Sequence, residues 1–385
     1  MASNLDRIVE RQFSRRNLFR YAGIAAGAGV LAACKKATTT PTAGGSTASR
    51  PPVSQEPGDL KVFDWAGYGD GAYGDQVLWK DYKKQYPDQA PTFATFQEDP
   101  GFSKVAAGNA PFDIVHPCGY KFPDYMKLGV MQPWDTSLIS NFPDLNPILE
   151  KAGVFNGKQY FIVADWGFAA PMYRQDKVTP KEDSWNLLWD TRYKDRIAWE
   201  DSLNMFIVAA YYNGVDDPWN MTSSEIDDMK SFLITQKKAV NPQLWLDQPD
   251  IDQKFKSEDV YVGYAWPASW VVGEGNGLDL VYMQPKEGRT SWYCGFALFA
   301  NTKNYYHAHD YVNAWMSPAS ALWLLNNYGY GHTNTKIDLS KADPATVKAF
   351  SLDDPTVLEE PTTHVERPIG DRPAYDAAWT EVKSA

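Results

Sequence analysis

Trp65 and Tyr68 are the residues of this sequence whose types and spacing invite chemistry. They close the stretch Leu60 to Tyr68, LKVFDWAGY, in which Leu60, Val62 and Phe63 have the branched and aromatic make-up of a buried strand. In open α/β sheets ligands sit beyond the carboxyl ends of the strands. The two rings would therefore stand at the lip of a crevice and offer flat π-faces to an apolar or cationic solute. Taken alone the pair also reads as edge packing, because core aromatics outnumber site aromatics.

Other reactive groupings are sparse. His307-x-His309-Asp310 lacks a spaced fourth ligand and reads as a solvated helix start rather than a metal site. Gly-x-Ser-x-Gly, HExxH, P-loop and zinc CxxC patterns are absent. A glycoside hydrolase would need two carboxylates on opposing sides of a cleft. An enzyme would need a nucleophile with a base or a metal set, and neither is visible, so no enzyme activity, metal or cofactor is expected.

The elements that must position these residues alternate apolar runs with amphipathic ones, an α/β pattern. Predicted strands are Lys61–Phe63, Thr92–Phe96, Phe112–His116, Arg196–Trp199, Val260–Ala265, Leu278–Met283 and Trp292–Phe299. Gln76–Tyr86 reads as a helix, with Leu78, Tyr82 and Tyr86 at four-residue spacing. Asn156-Gly157 predicts a hairpin between Gly153–Phe155 and Gln159–Val163. Helices are expected over Tyr311–Met316, over Ala319–Asn326 after the Ser317-Pro318 start, and over Tyr375–Val382. With 385 residues, 14% of them aromatic and 15 of them Trp, the chain suits two or three globular units. Residues 1–33 hold five arginines against Asp6 and Glu10, leaving 32 basic and 46 acidic residues beyond them, a net −14. That balance disfavours nucleic acid and anionic membrane as partners.

The N-terminus carries an address. Ser14 to Arg20, SRRNLFR, is a twin-arginine pattern centred on Arg15 and Arg16, followed by the Ala/Gly-rich run Tyr21–Ala33. That run falls short of the roughly 20 residues a bilayer span requires, so it reads as an export signal. LAAC, ending at Cys34, resembles a lipobox, which would make Cys34 the lipidated first residue of a mature lipoprotein. Lys35 to Pro57 is poor in large apolar groups and reads as a disordered tether spanning about 25 to 30 Å.

Taken together, FDWAGY (63–68), FDIVHPCGY (112–120), KLGVMQPWD (127–135), YFIVADWGFAAPMYR (160–174), VYVGYAWPASW (260–270) and YMQPKEGRTSWYCGFALF (282–299) resemble the extracellular solute-binding proteins of ABC importers, the spermidine/putrescine-binding type above all. The resemblance implies a two-lobed α/β fold of the type II periplasmic-binding kind with ligand in an interlobe cleft. It divides the chain into a signal peptide (1–33), the lipidated Cys34 and tether (34–57), lobe 1 (58–166 with about 296–330) and lobe 2 (167–295 with about 331–385). Crossings are expected near Trp166–Ala169 and Tyr293–Phe299. Implied partners are a small amine or organic cation, a permease and ATPase, and a membrane reached through the lipid anchor, for a monomer on the outer face of the membrane or in the periplasm.

The resemblance also supplies a candidate site. Its tryptophan and tyrosine after the first strand match Trp65 and Tyr68; a small polar residue and a tyrosine after the third strand match Cys118 and Tyr120. The aspartate of the second lobe matches Asp201, and the crossing and strand-end tryptophans match Trp166 and Trp266. Trp292, Tyr293 and Cys294 fall on the return crossing, Cys294 where a hinge aspartate is usual. Other family acids are replaced by Gly67, Asn204 and Ala268 or Ser269. An aromatic box of Trp65, Tyr68, Trp166 and Trp266 with few carboxylates favours a ligand with one positive charge or none, such as an amino-acid derivative, because a second desolvated ammonium would go unpaired. Alternatively, Asp165, Glu200, Asp70 or Glu274 restores the acidity for a polyamine, or the chain is the sensing subunit of a signalling system. Cys118 and Cys294 are expected to be reduced thiols at an apolar end of the cleft.

Overall fold

The computed structural model describes residues 52–65, 67–69 and 77–385. Arg15, Arg16, Cys34, Asp70 and most of the tether lie outside the described residues. The tether's last residues do not behave as a free coil. Val53–Gln55 form a helical turn, and Glu56 accepts hydrogen bonds from the N–H groups of Tyr306 and His307 at 2.8 and 3.1 Å. A carboxylate there satisfies unpaired donors at the start of the helix Tyr305–Trp315, so the ordered body begins before Gly58.

β1 (Lys61–Trp65) lies between β2 (Thr92–Phe96) and β3 (Ile114–Val115), parallel to both. Past β4 (Met131–Gln132), the Asn156-Gly157 turn joins β5 (Val154–Phe155) to β6 (Lys158–Gln159) with φ of 50° and 74° at its two central residues, as a tight antiparallel hairpin requires. β7 (Phe161–Arg174) is buried along its whole length, which explains its continuous apolar sequence. β8 (Ile197–Glu200), β9 (Gln243–Trp245), β10 (Val262–Ala265) and β11 (Leu280–Tyr282) precede the long β12 (Arg289–Phe299). β13 (Gly331–His332) and β14 (Thr363–Val365) complete the set among the described residues.

The strand order β2-β1-β3-β12-β7-β10-β8-β9 makes one ladder of two half-sheets joined by β7 and β12. These two run antiparallel from Thr290 opposite Ala169 to Ala297 opposite Phe161. The Ala297–Phe299 end of β12 pairs with β3 and β4, while Arg289–Ser291 pairs with β14. β7 changes company in the same way, its Ala170–Arg174 end pairing with β10 and β11. Whatever happens between the half-sheets therefore happens where Asp165–Ala169 lies against Thr290–Cys294.

Two expectations about helices need correction. The helix expected from Tyr311 begins at Tyr305, and His307 and His309 are buried rather than solvated. His307 is held by Glu56 and Gln89 at 2.8 and 3.0 Å. His309 engages the Tyr305 carbonyl at 2.7 Å and accepts the Asp135 N–H at 3.0 Å. Reading both as polar cut the apolar stripe short. The following helix, Pro318–Tyr328, is capped by Ser317 and stopped by Gly329 at φ 62°. No helix among the described residues is long and apolar enough to cross a membrane.

Candidate functional site

The first half-sheet brings a charged chain to the crossing strands. Asp64 lies in β1, His116 just beyond β3 and Asp165 in β7; all three are buried. His116 Nδ1 lies 2.7 Å from Asp64 Oδ1 and Nε2 lies 3.2 Å from Asp165 Oδ1, while the Tyr68 hydroxyl donates to Asp165 Oδ2 at 2.5 Å. Burial pushes the His116 pKa down, but the two carboxylates outweigh it and raise it to about 9. The ring is therefore an imidazolium at neutral pH, donating on both sides. His332, also beside Asp165 in the ladder, goes the other way. Burial lowers its pKa to about 4, and the neutral ring accepts the Asn334 N–H at 2.9 Å. Asp165 is thus engaged internally by Tyr68 and His116 and does not replace a missing family acid.

The expected aromatic residues come to the crossing but not as one box. Trp65 packs edge-on against Phe96 at 4.8 Å, Trp166 against Phe168 at 5.8 Å and Trp266 against Trp245 at 5.0 Å; Tyr68 stacks on His116 at 5.6 Å. Among the described residues no ring pair joins any two of the four. Trp166 is 2% exposed, its ring pressed on the backbone of Gly331, where a Cβ has no room. It is core. Trp292 and Tyr293 point to opposite faces of β12, as neighbours in a strand must. Trp292 packs on Tyr330 at 4.7 Å, and Tyr293 is 4% exposed against Gly119. Trp65 and Trp292 each hold an indole N–H buried without an acceptor. Tyr120 remains partly exposed.

Cys118 and Cys294 are not reduced thiols; they form a disulfide. Local pairing explains it. The two form an isolated antiparallel bridge, with Gly119 N–H on the Tyr293 carbonyl at 2.8 Å and Gly295 N–H on the Pro117 carbonyl at 3.0 Å. Their Cα atoms lie 3.8 Å apart, whereas thiols beyond about 7 Å cannot be bridged. The bond does not tie the half-sheets to each other, because β3 and this end of β12 belong to the same one. It fixes the turn before Tyr120 to the crossing strand.

The acids are rearranged. Asp201 turns away from the crossing: it accepts the Trp379 indole N–H at 2.9 Å and pairs with Lys383 at 2.9 Å, docking the helix Arg372–Ser384. Its neighbour Glu200, 7% exposed, is held by neutral donors, Ser202 Oγ at 2.8 Å and Asn204 Nδ2 at 3.0 Å. Burial raises its pKa to about 7. The amide that stands where the resemblance places a glutamate therefore supports a carboxylate four residues earlier. Gly67 likewise has a reason: φ is 91°, and a Cβ would lie 2.6 Å from the Tyr328 hydroxyl. Glu274 is exposed and accepts the Leu280 N–H at 3.0 Å.

Two further acids were not foreseen. Glu366, just past β14, is 8% exposed; its N–H donates to the Ser291 carbonyl at 2.7 Å, and its carboxyl makes no hydrogen bond or ion pair among the described residues. Burial raises its pKa well above the usual range, and the charges of Glu200 and Glu98 raise it further. Glu98, from the other half-sheet, accepts the Cys118 N–H at 2.9 Å. Both new acids thus hang on Ser291–Cys294, one directly and one through the disulfide. The available signal was a lone acid flanking a short apolar strand, HVER, which sequence alone does not separate from a solvated turn. Among the described residues no group of His, Cys, Asp and Glu is arranged to hold a metal ion.

Residues 102–350 match the model of a family described as bacterial extracellular solute-binding proteins. The chain belongs to that family. Its members are binding proteins, not enzymes. Among relatives of this solute-binding protein, the spermidine/putrescine-binding periplasmic proteins of Salmonella typhimurium and Escherichia coli are 27% and 28% identical over 229 residues, 58% of this chain and 64% of theirs. The match thus spans less than two thirds of those relatives. A putrescine-binding periplasmic protein of Escherichia coli is 24% identical over 348 residues, covering 80% of this chain and 90% of its own. Among solved structures, a spermidine/putrescine ABC transporter protein of Listeria monocytogenes superposes with TM-score 0.72 at 20% identity, over 85% of this chain and 99% of that one. A substrate-binding protein of Streptococcus pneumoniae gives 0.67 at 19% identity, over 85% and 98%. The fold is the two-lobed type II periplasmic-binding architecture expected from the sequence.

Proposed function

We propose that this solute-binding protein is the lipid-anchored receptor of an ABC importer, exported by the twin-arginine route, and that it captures a small amine or organic cation between its half-sheets. The lobes we assign are 58–166 with about 296–330 and 167–295 with about 331–385. The observation that carries the reading is Glu366, a largely buried residue whose carboxyl has no hydrogen-bond or ion-pair partner among the described residues and lies within the fields of Glu200 and Glu98 from both sides of the crossing. Such a group is stable only if neutral or if a cation meets it. The identity of the relatives, spermidine/putrescine-binding proteins, supports the same class.

A thermal-shift series with putrescine, ethylamine and tetramethylammonium tests it, because a ligand bound only by the folded state raises the midpoint. At least one is expected to raise it, and Glu366→Gln to weaken that compound tenfold or more. Amines without effect on the wild type would remove the ligand class. Separately, Cys34→Ala is expected to release the protein from membranes, and Arg15→Lys with Arg16→Lys to stop its export. A doubly substituted chain that is still exported and lipid-labelled would overturn the anchor and route.

A further inference from the structure

Arg289 opens β12 in the second half-sheet, and no function has yet been given to it. Its side chain is 5% exposed, Nη1 is buried without a partner, and the guanidinium makes no hydrogen bond or ion pair among the described residues. It lies over the Phe168 ring, 3.6 Å from guanidinium carbon to centroid. Ser291, two residues on, is 1% exposed, and its Oγ is likewise unpartnered. Residues two apart in a strand share a face, and Phe168 stands opposite Ser291 in the register, so guanidinium, hydroxyl and ring lie on one side of the crossing.

The neighbouring hydroxyls donate elsewhere, and neither accepts a hydrogen bond from the guanidinium. Thr363, opposite Arg289 in β14, gives its hydroxyl to the Val357 carbonyl at 2.7 Å. The Tyr282 hydroxyl is directed to the carbonyls of Phe168 and Ala265 at 3.1 and 3.0 Å. Glu360 contributes a field but no contact. Burial lowers the Arg289 pKa to about 10, so the group is still charged at neutral pH. A buried guanidinium with a ring face and no anion is incomplete, since its planar fork of donors matches a carboxylate and the desolvation cost exceeds what one ring returns.

We infer that Arg289 and Ser291 form an anion subsite over Phe168 that takes a carboxylate, either the acid end of a bound amino-carboxylate or a small free carboxylate. The subsite stands whether or not the amine reading does, because it uses none of the residues on which that reading rests.

The test is a set of midpoints and calorimetric titrations at constant ionic strength with sodium acetate, sodium chloride, ethylamine and β-alanine, which is ethylamine extended by a carboxylate. For the wild type, acetate is expected to raise the midpoint above chloride, and β-alanine to bind at least tenfold more tightly than ethylamine. Arg289→Met, which keeps an aliphatic chain on Phe168, is expected to abolish both differences, and Ser291→Ala to reduce them should the first variant fold poorly. Acetate active with β-alanine no better than ethylamine assigns the subsite to a free carboxylate. Acetate active with ethylamine, putrescine and tetramethylammonium all silent keeps the subsite and removes the amine reading. Acetate matching chloride while β-alanine matches ethylamine, or both differences surviving in the two variants, overturns the inference.

Discussion

Two groups of buried charge at the crossing strands are balanced in opposite ways. Toward β1 and β3, His116 carries a positive charge between Asp64 and Asp165, and Tyr68 closes the chain with a hydrogen bond. Toward β8 and β14, Glu200 has only neutral donors, Glu366 has no partner, and Arg289 has a ring face but no anion. A buried charge with its counter-charge holds a fold in one arrangement, and removing either partner exposes the full desolvation cost. A buried charge without one is a place where something from outside completes the structure. The comparison separates residues that shape the site from those that take the ligand.

The sharpest way to break the comparison is at the paired side. His116→Gln leaves two buried carboxylates uncompensated and is expected to cost about 3 to 5 kcal/mol in denaturant unfolding. The pH dependence gives the same contrast without mutation. The folded pKa of His116 is raised from 6.5 to about 9, so its contribution is complete below the unfolded value and lost as pH rises through about 9. Wild-type stability is expected to fall by about 3 kcal/mol across that window, and His116→Gln to show no such fall. Equal slopes for the two would show that the ring is not the charged link. Next in size, replacing Cys118 and Cys294 together by Ser is expected to cost about 2 to 4 kcal/mol, read as a lowered thermal midpoint under oxidising conditions. An unchanged midpoint would show the bond to be absent in solution.

The fold was legible where pattern and chemistry agreed. β2 spans the residues foreseen, and the Asn156-Gly157 hairpin follows from left-handed backbone that those residues tolerate, but the strand expected over Gln159–Val163 is β6 and only the start of a β7 that runs on to Arg174. The site was legible only in outline. Trp65 and Tyr68 do stand at the end of β1, but whether Asp165 or Glu200 faces a ligand depends on which partner each finds, and those partners come from the residue just beyond β3 and from the start of the helix Asn204–Tyr212 with the turn before it. His307 and His309 read as polar because burial satisfied through Glu56 and Asp135 leaves no periodic trace. Cys118 and Cys294, 176 residues apart, meet only through a strand bridge that no spacing reveals.

The smallest expected effect sharpens the same contrast at neighbouring carboxylates. Asp201→Asn loosens the contact with Trp379 and Lys383 and is expected to cost about 1 kcal/mol of stability while leaving amine binding unchanged. A calorimetric titration showing binding lost in Asp201→Asn would return that residue to the site and Glu200 to structure.

The most direct test of the central claim is proton release on binding. Glu200 and Glu366 are held toward their neutral forms by burial, so an ammonium arriving between the half-sheets must favour their ionised forms and expel protons. Putrescine titrated at pH 6.5 into buffers of differing ionisation enthalpy is expected to show proton release, diminished in Glu366→Gln. Binding with the same heat in every buffer, in wild type and variant alike, would contradict the account.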